Sequence, residues 1–306
     1  MKGEKTLRHI SLCIAGFFSV LSLLSCEEVI DIELNNPDNQ RIVVEGRITN
    51  TMQAQRIRLT KTTSYFENEL APPLLDANVY MVAESTGENY PFTLADDVMG
   101  FYETAIMQGS IGETYMLHIE SGEEEYHASA FLDTIPEIDS MNYTYELQSF
   151  FGIVFGTYTI TLNMFEPDPE GQYYRIDVYL NDTLYTEDLA EAIYLSDFQS
   201  SNRYWYELEI FAFPQEVIRL DTNQVRFEMY SLTEEEFDFL VPFFIESYGS
   251  GSIFSGPPAN IPTNVQNTSG GLDGVGFFAA SGRTVYEMPL YKEHDESTNN
   301  PFFEDR

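Results

Sequence analysis

Two histidines nine positions apart, His118 and His127, each have a glutamate two residues away on the side facing the other: Glu120 and Glu125. Imidazole nitrogens and carboxylate oxygens are zinc donors, but four such groups meet only if the chain folds back between them. The stretch Ser121 to Glu124 reads as a hairpin tip. That register sets His118 opposite His127 and Glu120 opposite Glu125, with Tyr115, Leu117, Ile119 and Tyr126 on the other face. Cross-strand neighbours lie about 4.5–5.5 Å apart, close enough to share an ion. A polar strand face is ordinarily just solvated, and nothing in the sequence holds the imidazoles in one orientation. The expectation is therefore a solvated face, with no metal or other cofactor required.

The one tryptophan, Trp205 in "NRYWYELEI", offers a different chemistry. Strict alternation groups Tyr204, Tyr206, Leu208 and Ile210 on one face and puts Trp205 with Arg203, Glu207 and Glu209 on the more polar one. An outward tryptophan flanked by tyrosines is a stacking platform, so Trp205, Tyr204 and Tyr206 are the ligand-binding candidates. The alternative is packing against a neighbouring domain or helix.

Catalytic signatures are absent from the sequence. There is no Gly-x-Ser-x-Gly elbow and no His-Glu-x-x-His,. The glycines of "GGLDGVG" at 270–276 are in the wrong order for a dinucleotide loop, and the segment reads as a turn into a strand,. Carboxylates are so numerous that a general acid and base pair cannot be picked out. A binding protein is expected rather than an enzyme.

The N-terminus carries a third chemistry. Lys2, Lys5 and Arg8 precede an apolar run from Ile10 to Leu24, which ends at Ser25-Cys26-Glu27-Glu28. A spanning helix needs about 20 apolar residues, so residues 1–25 read as a signal peptide. Leu23-Leu24-Ser25-Cys26 resembles the lipobox of bacterial lipoproteins. The resemblance implies cleavage before Cys26 and acylation of its sulfur and amine, and several acyl chains anchor a protein stably to a membrane. Glu27-Glu28 resembles a signal for export to the outer face of the outer membrane.

With 50 acidic against 15 basic residues, the chain has a formal charge of −35. Such a surface repels phosphate backbones, which excludes nucleic acid as a partner. After cleavage Cys26 is the remaining cysteine, so no intramolecular disulfide forms and packing must supply the stability.

The elements that would position these residues are strands. Ile57 and Leu59 alternate with Arg56, Arg58 and Thr60, and turn signals recur at Ser85-Thr86-Gly87, Asp96-Asp97 to Gly100 and Ser121-Gly122. That spacing predicts a sandwich. Residues 26–39 read as an acidic linker, 40–134 as an N-terminal β-sandwich domain, and "DTIPEIDSM" at 133–141 as the boundary. Residues 135–290 form a second β-rich domain, with a tight turn at Asn181-Asp182 and one short helix near 233–248. Thr233 is its N-cap, with Glu236 three residues on. Phe237, Leu240, Phe244 and Tyr248 mark its apolar face, and Pro242 should kink or split it. Residues 249–276 read as a long ordered or semi-ordered loop, and 291–306 as a flexible tail.

In order along the chain, "CEEVID", "IVVEGRIT", "GETY", "PEIDS", "YYR", "GPPANI" and "GVGFFAAS" together resemble a bacterial outer-membrane lipoprotein family known only as a domain of unknown function, family 4249. The resemblance implies an N-terminal immunoglobulin-like or transthyretin-like sandwich. It also implies an accessory role in the envelope beside TonB-dependent transporters, and it supplies no catalytic residues. The expectation is a mainly β protein, held to the outer membrane by its lipid, that binds a ligand or shapes a transporter. A surface adhesion or scaffold module is the alternative, and a metal-assisted or two-carboxylate hydrolase the third.

Overall fold

In a computed structural model of the chain, the residues described are 40–63, 70–151, 153–166, 171–187, 191–196, 203–249 and 261–293. Cys26, the signal peptide, the acidic linker and all of the tail beyond residue 293 lie outside them.

The protein is mainly β, as the two-residue periodicity predicts. The first sheet takes β1 (Ile42–Thr49), β2 (Gln53–Lys61), β3 (Asn78–Ala83), β4 (Asn89–Asp96), β5 (Phe101–Met107), β6 (Thr114–Ser121) and β7 (Glu124–Phe131). Gly87, Gly100 and Gly122 all have left-handed φ, at the three turns marked by sequence,. Ile57, Leu59, Tyr115, Leu117, Ile119 and Tyr126 are buried in one core, so the alternation assigned their face correctly.

The second part holds β8 (Ile138–Phe150), β9 (Ile153–Phe165), β10 (Tyr173–Leu180), β11 (Thr183–Leu184), β12 (Ile193–Ser196), β13 (Tyr204–Pro214) and β14 (Thr222–Leu232). These are followed by a helix, α1 (Glu234–Gly249), and by β15 (Gln266–Asn267), β16 (Val275–Ser281) and β17 (Arg283–Tyr291). Strands β13, β9 and β8 form a three-stranded sheet, and β11, β10, β14 and β17 a second one with β12 also on β10. Tyr158, Ile160, Leu162, Tyr174, Ile176, Phe213 and Phe227 fill the core that the two sheets share. Asn181 and Asp182 both have positive φ between β10 and β11, the conformation of a tight hairpin turn,.

The contiguous division at 134 does not describe the sheets. Strands β15 and β16 belong to the first sheet, in the order β15-β7-β6-β3-β4-β5-β2-β1-β16. β16 runs parallel to β1, with Val43 opposite Val275 and Arg47 opposite Ala279. The close approach needs Gly276, whose φ is 87° and where a Cβ would stand 2.2 Å from the Val44 carbonyl oxygen,. Asn264 joins the far end of the sheet to this one: its Nδ2 donates to the Ser129 carbonyl of β7 and to the Phe278 carbonyl of β16, and its Oδ1 accepts from Phe278 N. The described part of the 249–276 loop is thus ordered against both strands. Parallel pairing across more than 200 residues leaves no local trace in a sequence.

At Gly282 the chain passes from the first sheet into the second. Gly282 N donates to the carbonyl of Asp133 at 3.2 Å and to Ser231 Oγ at 2.9 Å. The inter-domain stretch and the β16–β17 crossing therefore meet at one joint.

Candidate functional site

Outward residues of β1 and β16 form one wall of a cavity of about 600 Å³, and α1 forms another. Alternation puts Val44 and Ile48 in the core and turns Val43, Glu45 and Arg47 to the cavity; on β16 Phe278 and Ala280 point in while Val275, Phe277 and Ala279 point out,. The volume is in the range of small-molecule sites, about 300–1,000 Å³.

Helix α1 begins as its sequence predicts. Thr233 Oγ1 accepts a hydrogen bond from Glu236 N at 3.2 Å, capping the first turn,. The carboxylate of Glu236 does not return to the cap. It is buried against the Arg47 guanidinium, with Nη1 at 3.2 Å from Oε2 and Nη2 in closer contact with Oε1. Arg47 also donates to Ser281 Oγ. A bidentate pair of this kind fixes the helix to β1.

The expected apolar face is present: Phe237 stacks on Tyr173 at 4.2 Å, Leu240 is buried, and Phe244 meets Tyr194 edge-on at 5.0 Å. The side chain of Tyr248 lies outside the described residues. Pro242 sits inside a single continuous helix, so it does not split the element. A second stripe, Phe239 and Phe243, lines the cavity, with Phe239 5.1 Å from Phe277. The sequence reading missed this stripe. A helix apolar nearly all round packs on more than one side, and that signal was available in "FDFLVPFFI".

Arg41 and Arg175 also line the cavity. Arg175 pairs with Asp177 at 2.7 Å and lies over the Tyr230 ring, with 5.2 Å to its centroid. Arg41 donates to the carbonyl oxygens of Asp273 and Gly274, at 2.6 and 2.8 Å. The wall is thus apolar and aromatic, with a few fixed charged groups.

Trp205 is placed differently from the sequence reading. It is 5% exposed, in the core, with Tyr174 edge-on at 6.0 Å; Tyr204 and Tyr206 are the outward residues, 44% and 70% exposed. Alternation fails because β13 bulges: Trp205 pairs with Met164, yet Leu208 pairs with Leu162. Glu207 in the bulge has a φ of 47°, and its N–H donates to Asn163 Oδ1. A bulge adds unpaired residues and resets which face follows. The outward tryptophan platform is not formed.

The β6–β7 hairpin has the register read from sequence, His118 opposite His127 and Glu120 opposite Glu125. The imidazole centroids are 4.3 Å apart at 70° to one another. His127 Nε2 is 2.9 Å from Glu125 Oε1, and donor atoms of His118, Glu125 and His127 all lie within 4.8 Å of one another. Glu120 accepts from Asn78 Nδ2 at 2.9 Å. The face is less solvated than expected. Tyr80 stacks flat on His118 at 4.6 Å, and burial, then His127, hold the His118 pKa below its ordinary value.

A family model described as Domain of unknown function (DUF4249) matches residues 27–287. No curated protein matches the chain.

Proposed function

The chain belongs to the family described as Domain of unknown function (DUF4249), and from that premise we propose that it is a non-enzymatic, envelope-anchored binding protein whose ligand seats between α1 and the β1/β16 wall. The observation that carries the reading is the cavity of about 600 Å³, aromatic on one side and backed by the Arg47–Glu236 pair. A mostly apolar ligand, or a cluster of apolar side chains from a protein partner, fits that lining. Arg41, which spends its donors on carbonyls rather than on a carboxylate, suits a negative group at one end.

The acids at the cavity support binding over hydrolysis. Glu236 is committed to Arg47, and Glu45 pairs with Arg58 at 3.1 Å. Both carboxylates of the lining are thus engaged by a guanidinium. Anchoring is read from Leu23-Leu24-Ser25-Cys26, and service to a TonB-dependent transporter is what the sequence resemblance implies. Among the described residues no helix is long and apolar enough to cross a membrane.

Affinity purification from detergent-solubilised envelopes tests the reading. A TonB-dependent transporter should co-purify with the natural chain and be lost with Phe243→Asp, which puts a charge on the apolar wall. Equal recovery with both proteins, or recovery of no transporter, would overturn the assignment. Labelling with a palmitate analogue tests the anchor separately: Cys26→Ser should take up none, and equal label would sink it.

A further inference from the structure

We propose that His118, His127 and Glu125 bind a divalent transition-metal ion of the zinc class, at a site separate from the cavity. The site is built across four strands. Tyr80 of β3, His118 of β6, His127 of β7 and Gln266 of β15 stand opposite one another in register, and Asn78, Glu120 and Glu125 form the adjacent row. Donor atoms of the two imidazoles and the Glu125 carboxylate already lie within 4.8 Å of one another. Ligands about 2.0–2.2 Å from a common zinc ion are reached by small side-chain rotations.

Enclosure provides a second, independent observation. Nδ1 of His118 is shut off from solvent and has no hydrogen-bond partner among the described residues. A buried polar atom without a partner is costly and rare in native proteins. The ring is also held in place, by Tyr80 stacked at 6° to its plane. Asn78 holds Glu120 across from Glu125, where its carboxylate adds negative charge and offers a further oxygen. Such outer contacts are what orient ligands in metal sites. Two nitrogen donors and one oxygen select zinc-like ions over calcium or magnesium, which take oxygen donors.

Calorimetric titration of Zn²⁺, and separately of Ca²⁺, into the purified, chelator-stripped, tag-free full chain decides the matter. One equivalent of zinc should bind, and His118→Gln and His127→Gln should each weaken it by at least the roughly 10–100-fold that loss of an outer-shell partner costs. Melting curves without metal check that the variants fold. Glu125→Gln, at the partly exposed edge of the site, is the second probe should a histidine variant not fold, and it should weaken binding in the same direction. Failure of the natural chain to take up zinc would overturn the proposal. So would uptake unchanged in the folded variants, or calcium binding equally well, since either marks general attraction to an acidic surface.

Discussion

Arg47 of β1 and Glu236 of α1, 189 positions apart, grip one another through two guanidinium nitrogens and two carboxylate oxygens, with the glutamate side chain 4% exposed. The pair lines the cavity and ties the helix to the first sheet. Removing one partner leaves an enclosed charge, at a cost of about 3–5 kcal/mol. Arg47→Ala and Glu236→Ala should each lower the melting temperature, and Arg47→Met with Glu236→Leu should recover much of the loss. A double variant as unstable as the sum of the singles would show that the pairing is not the source.

Trp205 and Tyr206 should differ sharply in their response to truncation. Trp205→Ala removes a core side chain and is expected to cost about 3–5 kcal/mol. Tyr206→Ala, on an exposed ring, should stay within about 0.5 kcal/mol of the natural chain. Denaturant unfolding measures both, and a negligible loss at Trp205 would contradict its burial against Tyr174.

Asn264 makes three side-chain hydrogen bonds that link β7 to β16. Asn264→Leu orphans buried backbone groups of Phe278, each worth about 1–3 kcal/mol when left without a partner. The expected outcome is loss of hydrogen-exchange protection at β16, where the cavity wall begins. Protection unchanged at Phe278 would refute the role given to this residue.

Two groups predict distinct acid transitions. The His118 pKa is held below 6.5, so the unfolded chain takes up a proton first and stability falls as pH drops from about 6.5 towards the folded value,. Burial pushes Glu228 up, but hydrogen bonds from Arg283 and Tyr230 outweigh it and leave the carboxyl below 4.5. Its contribution is present above 4.5 and lost as pH falls through its folded value,. Melting temperature against pH should show both regions, with the upper one flattened by His118→Gln and the lower by Glu228→Gln. A profile the same in all three proteins would remove both assignments.

Local relations were legible in the sequence because short stretches of chain determine them. The Gly122 turn sets the β6–β7 register, Asn181-Asp182 sets the β10–β11 hairpin, and Thr233 caps the first turn of α1. Each depends on backbone preferences and bonds within a few residues, so the histidine pair and its glutamates could be set opposite one another without coordinates. Tertiary structure decided the rest. Trp205 turned inward because Glu207 bulges the strand against Asn163, more than forty positions away. The cavity exists because β16 returns to lie parallel to β1 and because Glu236 reaches Arg47 instead of its own cap. Pairings of that length are selected by the total burial of many side chains together, and the residues at either end carry no sign of their partner.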